Sequence, residues 1–234
     1  MRGSYLGQDR YDLQFAIKEL ASGMKAPTEE DMVSLKRLGR YLNVKPRCVQ
    51  TFRRQSQVSE RSLADDASRQ IALTVDVDSD WVGDKRTRKS TLCVVIRHGV
   101  NVIKTQVNAM KGISLSSGEA EYGAIVKGAC QGLGIQSMCA DWGLTASVNV
   151  RSDSSAAIGI SNRLGPGGTR HLNVRHLWVQ QKVKDKEITL EKQDGKKNVA
   201  DLGTKIQTGP VITGVMGRLG FRFERKPFHG ALKV

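Results

Sequence analysis

The sequence predicts an α/β protein, a mixed sheet covered by helices, with a short helical segment ahead of it. Three observations carry that expectation. Residues 71–80 alternate apolar and polar side chains, the two-residue period of a strand. Residues 117–140 make one long helical segment, opened by SLSSGEAEYGA. From residue 71 onward the runs succeed one another as β-β-β-α-β-α-α-β-α, a succession that belongs to the α/β class.

The elements can be justified in chain order. In DLQFAIKELASGM, residues 12–24, Leu13, Ile17 and Leu20 share a helical face and Asp12 stands at a capping position. A second helix starts after Pro27, where Thr28 and Asp31 approximate a capping box, and it carries Met32, Leu35, Leu38 and Leu42 on one side. Neither short helix can bury much alone, so both are expected to dock on the larger unit that begins at residue 71. Residues 43–70 turn polar and read as a connection. Strand 71–80 then leads through the basic loop GDKRTRKS to strands near 91–97 and 100–106. Helix 117–140 comes next, with Gly123, Gly128, Gly132 and Gly134 lowering its propensity and leaving its C-terminal limit open. A strand at 147–152, helices at 154–163 and 171–184, a strand at 187–192 and a short helix at 198–205 complete the core. Residues 208–234 read as a Gly-rich basic tail.

Composition narrows the partners. Lys and Arg total 37 against 23 Asp and Glu, a formal net charge of +14. Such an excess favours a polyanion, above all nucleic acid, through phosphate neutralisation and counterion release. Cys48, Cys93, Cys130 and Cys139 show no C-x-x-C spacing, which argues against zinc and for reduced thiols. No apolar run reaches the length of a membrane span and the N-terminus lacks a signal-peptide core, so the chain reads as soluble and intracellular.

The stretch VDVDSDW, residues 75–81, breaks a local rule. Strand alternation puts Ile71, Leu73, Val75 and Val77 on one face and Asp76, Asp78 and Asp80 on the other, each step about 7 Å. Asp is a poor strand former and like charges on one face repel. The run is therefore either a cation site or a solvated edge strand. Other acids stand at element ends. Ser116 and Glu119 form a capping box, while Glu121 has no such role and is either functional or a solvated helical residue. Asp153 ends a strand and could simply cap the next helix. Asp201 could be a first-turn carboxylate favoured by the helix dipole.

Taken together, DSDWVGDKRTRKST, LSSGEAEYGAI, RSDSSAAIGI, TRHLNVRH and NVADLGTK resemble the ribonuclease H domain of copia-type retrotransposon polyproteins, over residues 71–207. YLGQDRYDLQFAIKELASGM and LKRLGRYL, within residues 1–60, resemble the end of the reverse transcriptase region just before it. The resemblance implies an RNase H-like fold with a five-stranded mixed sheet. It implies that Asp78, Glu121, Asp153 and Asp201 are the catalytic carboxylates and hold two Mg²⁺ or Mn²⁺ ions. Asp80 and Glu119 also fit the motifs, as residues supporting the ligands or capping the helix. The implied reaction is hydrolysis of the RNA strand of an RNA–DNA hybrid, with the upstream reverse transcriptase portion as a further partner. Lys85, Arg86, Arg88 and Lys89 would either grip phosphates or form a solvated charge run; Arg170 would contact nucleic acid, and His171 and His176 would have a structural or substrate-contacting role. The chain departs from the family in STLCVVIRHG, NVIKTQVNAM and LGPGGT, and it contains no Y-x-D-D polymerase motif. Those departures keep open a module that binds nucleic acid without cutting it; an integrase-like DNA nuclease is the remaining alternative.

Overall fold

In the computed structural model, which describes residues 2–53, 70–165, 167 and 177–224, the acidic strand lies at the centre of the sheet. The strands are β1 (Arg47–Gln50), β2 (Gln70–Ser79), β3 (Thr91–His98), β4 (Asn101–Ala109), β5 (Thr145–Ser152), β6 (Ile188–Lys192) and β7 (Phe221–Glu224). Five of them form one sheet in the order β4-β3-β2-β5-β6. β2 runs antiparallel to β3 and parallel to β5. The edge-strand alternative for residues 71–80 is thereby overturned: β2 has hydrogen-bonded neighbours on both sides, and Asp76 and Asp78 are 0% and 1% exposed.

The helices are α1 (Arg2–Asp9), α2 (Tyr11–Gly23), α3 (Glu29–Val44), α4 (Ser117–Asp141), α5 (Ser155–Asn162), α6 (Trp178–Lys184) and α7 (Gly209–Arg218). α4 covers one face of the sheet, burying Tyr122, Ile125 and Ala129 with Leu73, Val75, Val77, Val148 and Val150. Each such aliphatic side chain contributes about 1.5–3 kcal/mol on burial. The glycines that cloud the helix in the sequence have a packing reason. A Cβ on Gly132 would stand 2.7 Å from Val148 Cγ1, and one on Gly128 would stand 2.5 Å from Val77 Cγ1. The lost propensity is offset by a helix that lies directly on the strands, and α4 runs unbroken to Asp141.

The other face is covered by α2, α7 and the 3-10 turn Val199–Gly203, which follows a shorter 3-10 turn at Gly195–Lys197. Tyr11, Cys93, Val95, Val199, Leu202 and Met216 form this second apolar layer, and the Tyr11 hydroxyl donates to Val199 O at 2.7 Å. Docking of the N-terminal helices is thus seen for α2. α3 has the Thr28–Asp31 capping box, but no residue of it is buried, and Met32 and Leu35 remain about half exposed. Within the helix expected at 198–205, Val199–Gly203 wind as a 3-10 turn rather than an α-helix, a tighter path suited to five residues pressed on a sheet. Residues 209–224, within the stretch read as a tail, form α7 and β7, and β7 pairs antiparallel with β1. Of the helix expected at 171–184, Trp178–Lys184 is helical and residues 171–176 lie outside the described residues.

The five-stranded mixed sheet with helices on both faces is the arrangement that the resemblance implies. Among the described residues no helix is long and apolar enough to cross a membrane, and all four cysteines are free thiols.

Candidate metal centre

Strand register brings the first two acids together. β2 and β5 run parallel with Asp76 opposite Arg151, so Asp78 and Asp153, each two residues further on, leave the sheet side by side. The third acid comes from the start of α4. There the Ser116 hydroxyl accepts the Glu119 N–H at 3.2 Å and the Glu119 carboxylate accepts the Leu115 N–H at 2.8 Å. Capping therefore occupies Glu119, and Glu121 is directed at the strand end, where the Ser79 N–H hydrogen-bonds to it. Asp78, Glu121 and Asp153 each offer an oxygen, and these atoms lie within 4.8 Å of one another. Glu121 Oε2 is buried and has no hydrogen-bond partner.

The electrostatics of this cluster are costly. Burial, and then the Glu121 charge, push the Asp78 carboxyl up to about 8, against the Thr204 hydroxyl bond and the Lys205 ammonium. Burial, and then Asp153, push Glu121 up to about 7. Three carboxylates in one partly desolvated place repel, and Asp78 and Glu121 hold a proton more tightly than in water. A divalent ion relieves both problems. The donor set is all oxygen, as hard Mg²⁺ or Mn²⁺ prefers, and the orphaned Glu121 oxygen is a ligand atom in want of a partner. The residues present fit such an ion.

Asp201 stands apart from this trio. Its carboxylate is ion-paired at 2.9 Å with Lys205, whose Nζ also lies 3.8 Å from Asp78 Oδ2. It still adds negative charge that raises Asp78 and Glu121. Asp80 lies one residue beyond the end of β2, and its carboxylate accepts the Thr91 N–H, so it closes the β2–β3 connection rather than joining Asp78. Asp76 is also elsewhere: it is held by Arg97 Nε at 2.8 Å and Arg151 Nη2 at 2.7 Å.

The basic loop is built on Asp84, whose carboxylate accepts the N–H groups of Arg86 and Thr87 at 2.9 and 3.2 Å. Lys85, Arg86 and Arg88 are exposed and Lys89 is half-buried. Arg86 makes a 3.4 Å ion pair with Asp31 of α3. Arg170, His171 and His176 lie outside the described residues.

Sequence reasoning passed over three contributors. Thr204 donates its hydroxyl to Asp78 Oδ2. Lys205 lies four residues after Asp201, a spacing that could have signalled the pair. Gly195 brings backbone against the cluster, since a Cβ there would stand 2.8 Å from Asp153 Oδ2, and nothing in the sequence marks that approach.

No protein-family model matches the chain. It is 25% identical over 221 residues to the retrovirus-related Pol polyprotein from transposon RE1 of Arabidopsis thaliana, covering 93% of this chain and 14% of that protein. It is 30% identical over 131 residues to the corresponding polyprotein from transposon TNT 1-94 of Nicotiana tabacum, covering 55% of this chain and 10% of that protein. Among solved structures, the N-terminal RNase H domain of Rv2228c from Mycobacterium tuberculosis aligns with a TM-score of 0.39 at 13% identity, over 63% of this chain and 97% of that one. The chain thus spans only a small part of the length of the polyproteins it matches. The chain is similar to the retrovirus-related Pol polyproteins of transposons in both plants.

Proposed function

We propose that the chain is a divalent-metal-dependent ribonuclease H, hydrolysing the RNA strand of RNA–DNA hybrids. The observation that carries this reading is the convergence of Asp78, Glu121 and Asp153, from β2, the first turns of α4 and the end of β5, onto one partly buried place. These residues would hold the ion, with Asp201 at the margin for a second. When bound, Mg²⁺ or Mn²⁺ supplies an activated water and neutralises charge on the scissile phosphate.

The remaining chemistry belongs to the chain. The Thr204 hydroxyl, donating to Asp78 Oδ2, fixes the rotamer of the most buried acid of the three. The Ser79 N–H orients Glu121. Both acids must lose the protons that burial favours before they can act as ligands. Lys85, Arg86, Arg88 and Lys89 give the approach to the site a positive field that attracts a phosphate backbone, and a net charge of +14 extends it. Residues 71–207 would form the nuclease unit. Residues 1–60 would correspond to the end of a reverse transcriptase region, with the rest of that region as a partner.

A labelled hybrid incubated with the purified chain and Mg²⁺ should be cut in its RNA strand, and the Asp153→Asn protein should leave it whole. Equal cutting by both proteins rejects Asp153. Tight hybrid binding without cutting by either would mark a binding module of the same fold.

A further inference from the structure

Lys205 stands where a second divalent ion would have to be accommodated. Its Nζ lies 2.9 Å from Asp201 Oδ1 and 3.8 Å from Asp78 Oδ2. Thr204, the residue before it, already donates to the same Asp78 oxygen. An Mg²⁺ shared by Asp78 and Asp201 needs both oxygens at about 2.0–2.1 Å. Any such position is no more than about 5 Å from the ammonium. At that range a divalent and a monovalent cation repel by several times the thermal energy, even at the effective dielectric of a protein surface. The two cations compete for one edge of the cluster.

The opposite edge is different. Asp78, Glu121 and Asp153 come within 4.8 Å of one another; among the described residues no ion pair reaches Glu121 or Asp153, and Glu121 Oε2 is buried without a partner. The two halves of the carboxylate cluster are therefore unequal. One half is preset for an ion, and the other already has its positive charge. The Lys205 side chain is 49% exposed, so its stem can swing the ammonium into solvent without disturbing packed residues.

Resting on the metal-dependent nuclease reading above, we infer that Lys205 is a built-in counter-cation at the Asp78–Asp201 edge. The free chain holds one divalent ion at Asp78, Glu121 and Asp153. It admits a second only when Lys205 is drawn off onto an anion, for which a phosphate of the bound nucleic acid is the available chemistry. Lys205 is thus a positioning residue that sets metal stoichiometry.

Calorimetric titration of the whole, nucleic-acid-free chain with Mn²⁺ tests this, with Lys205→Met, Lys205→Gln, Lys205→Arg and Asp153→Asn as companions. The wild type and Lys205→Arg should each take up one ion. Lys205→Met and Lys205→Gln should take up two, the second binding about tenfold or more tighter than any second ion in the wild type. Two neutral variants at a half-exposed position guard against one of them failing to fold, which circular dichroism reports. Two ions in the wild type, unchanged in the neutral variants, would overturn the role of Lys205 and leave the metal centre standing. No uptake by the wild type would instead sink the metal reading itself.

Discussion

Arg151 holds Asp76 from the neighbouring strand: its Nη2 lies 2.7 Å from Asp76 Oδ1, and the two residues are register partners in β5 and β2. Arg97 of β3 approaches the other oxygen at 2.8 Å, so one buried carboxylate ties three strands together. The acid is 0% exposed and its arginines lie at the margin of solvent. Removing the carboxylate charge leaves two guanidinium groups facing each other across the strand. Asp76→Asn should cost about 3 kcal/mol of stability in urea unfolding. It should leave Mn²⁺ uptake intact, because both Asp76 oxygens are held by arginines and lie outside the Asp78–Glu121–Asp153 cluster. Loss of Mn²⁺ binding at full stability would place Asp76 in the site after all.

The acids of the centre predict how stability changes with pH. Asp78 and Glu121 are raised to about 8 and about 7, far above their ordinary values near 4. Between roughly pH 4 and 8 the folded, metal-free chain therefore holds protons that the unfolded chain has released. Their stabilising contribution is fully present below pH 4 and is lost as pH rises through 7 and 8. Metal-free melting temperatures should fall over that window, and saturating Mg²⁺ should restore more of the loss at pH 8 than at pH 6. In Glu121→Gln the fall should be shallower. A melting temperature equally steep with Gln at position 121 would remove Glu121 from the coupled cluster.

Packing of α4 gives a prediction about the fold alone. Ala at position 128 would put its Cβ 2.5 Å from Val77 Cγ1, and neither the helix nor the central strand can yield without shifting the other. Gly128→Ala should destabilise by about 1–3 kcal/mol, despite Ala being the better helix former. Gly134→Ala, where a Cβ meets nothing within 4 Å, should be neutral or stabilising. The difference between the two Tm values is the readout.

Near the site, Gly195→Ala would press a methyl against Asp153 Oδ2, 2.8 Å from the ideal Cβ position. The carboxylate must turn, and Mn²⁺ affinity should drop by about tenfold with little change in unfolding free energy. Unchanged affinity would show that the turn at Gly195–Lys197 gives way instead.

Much of the site is legible in the chain. The alternation in β2, the Ser116 N-cap of α4 and the strand end at Ser152 all obey local rules, and together they locate Asp78, Glu121 and Asp153; the reciprocal half of the expected capping box is replaced by a bond from the Leu115 N–H to Glu119. What could not be read depends on which strand lies beside which. Alternation alone groups Asp76, Asp78 and Asp80, yet three different environments receive them. Asp76 meets arginines from β3 and β5, Asp78 meets the other acids, and Asp80 falls past the last strand residue, Ser79. The approach of Lys205 to Asp78 is hidden for the same reason, because it depends on a short turn folding onto the sheet. The amphipathic pattern of α3 correctly marks a helix but not a burial site: the side carrying Met32 and Leu35 is left largely uncovered.

The nuclease reading stands or falls on one cation bound among three particular oxygens. Crystals grown with Mn²⁺ and measured at a wavelength where manganese scatters anomalously give the sharpest check. A difference peak bounded by Asp78, Glu121 and Asp153 is expected, absent in crystals of Asp153→Asn. A strong peak at any other place, with those carboxylates bare, would refute the assignment.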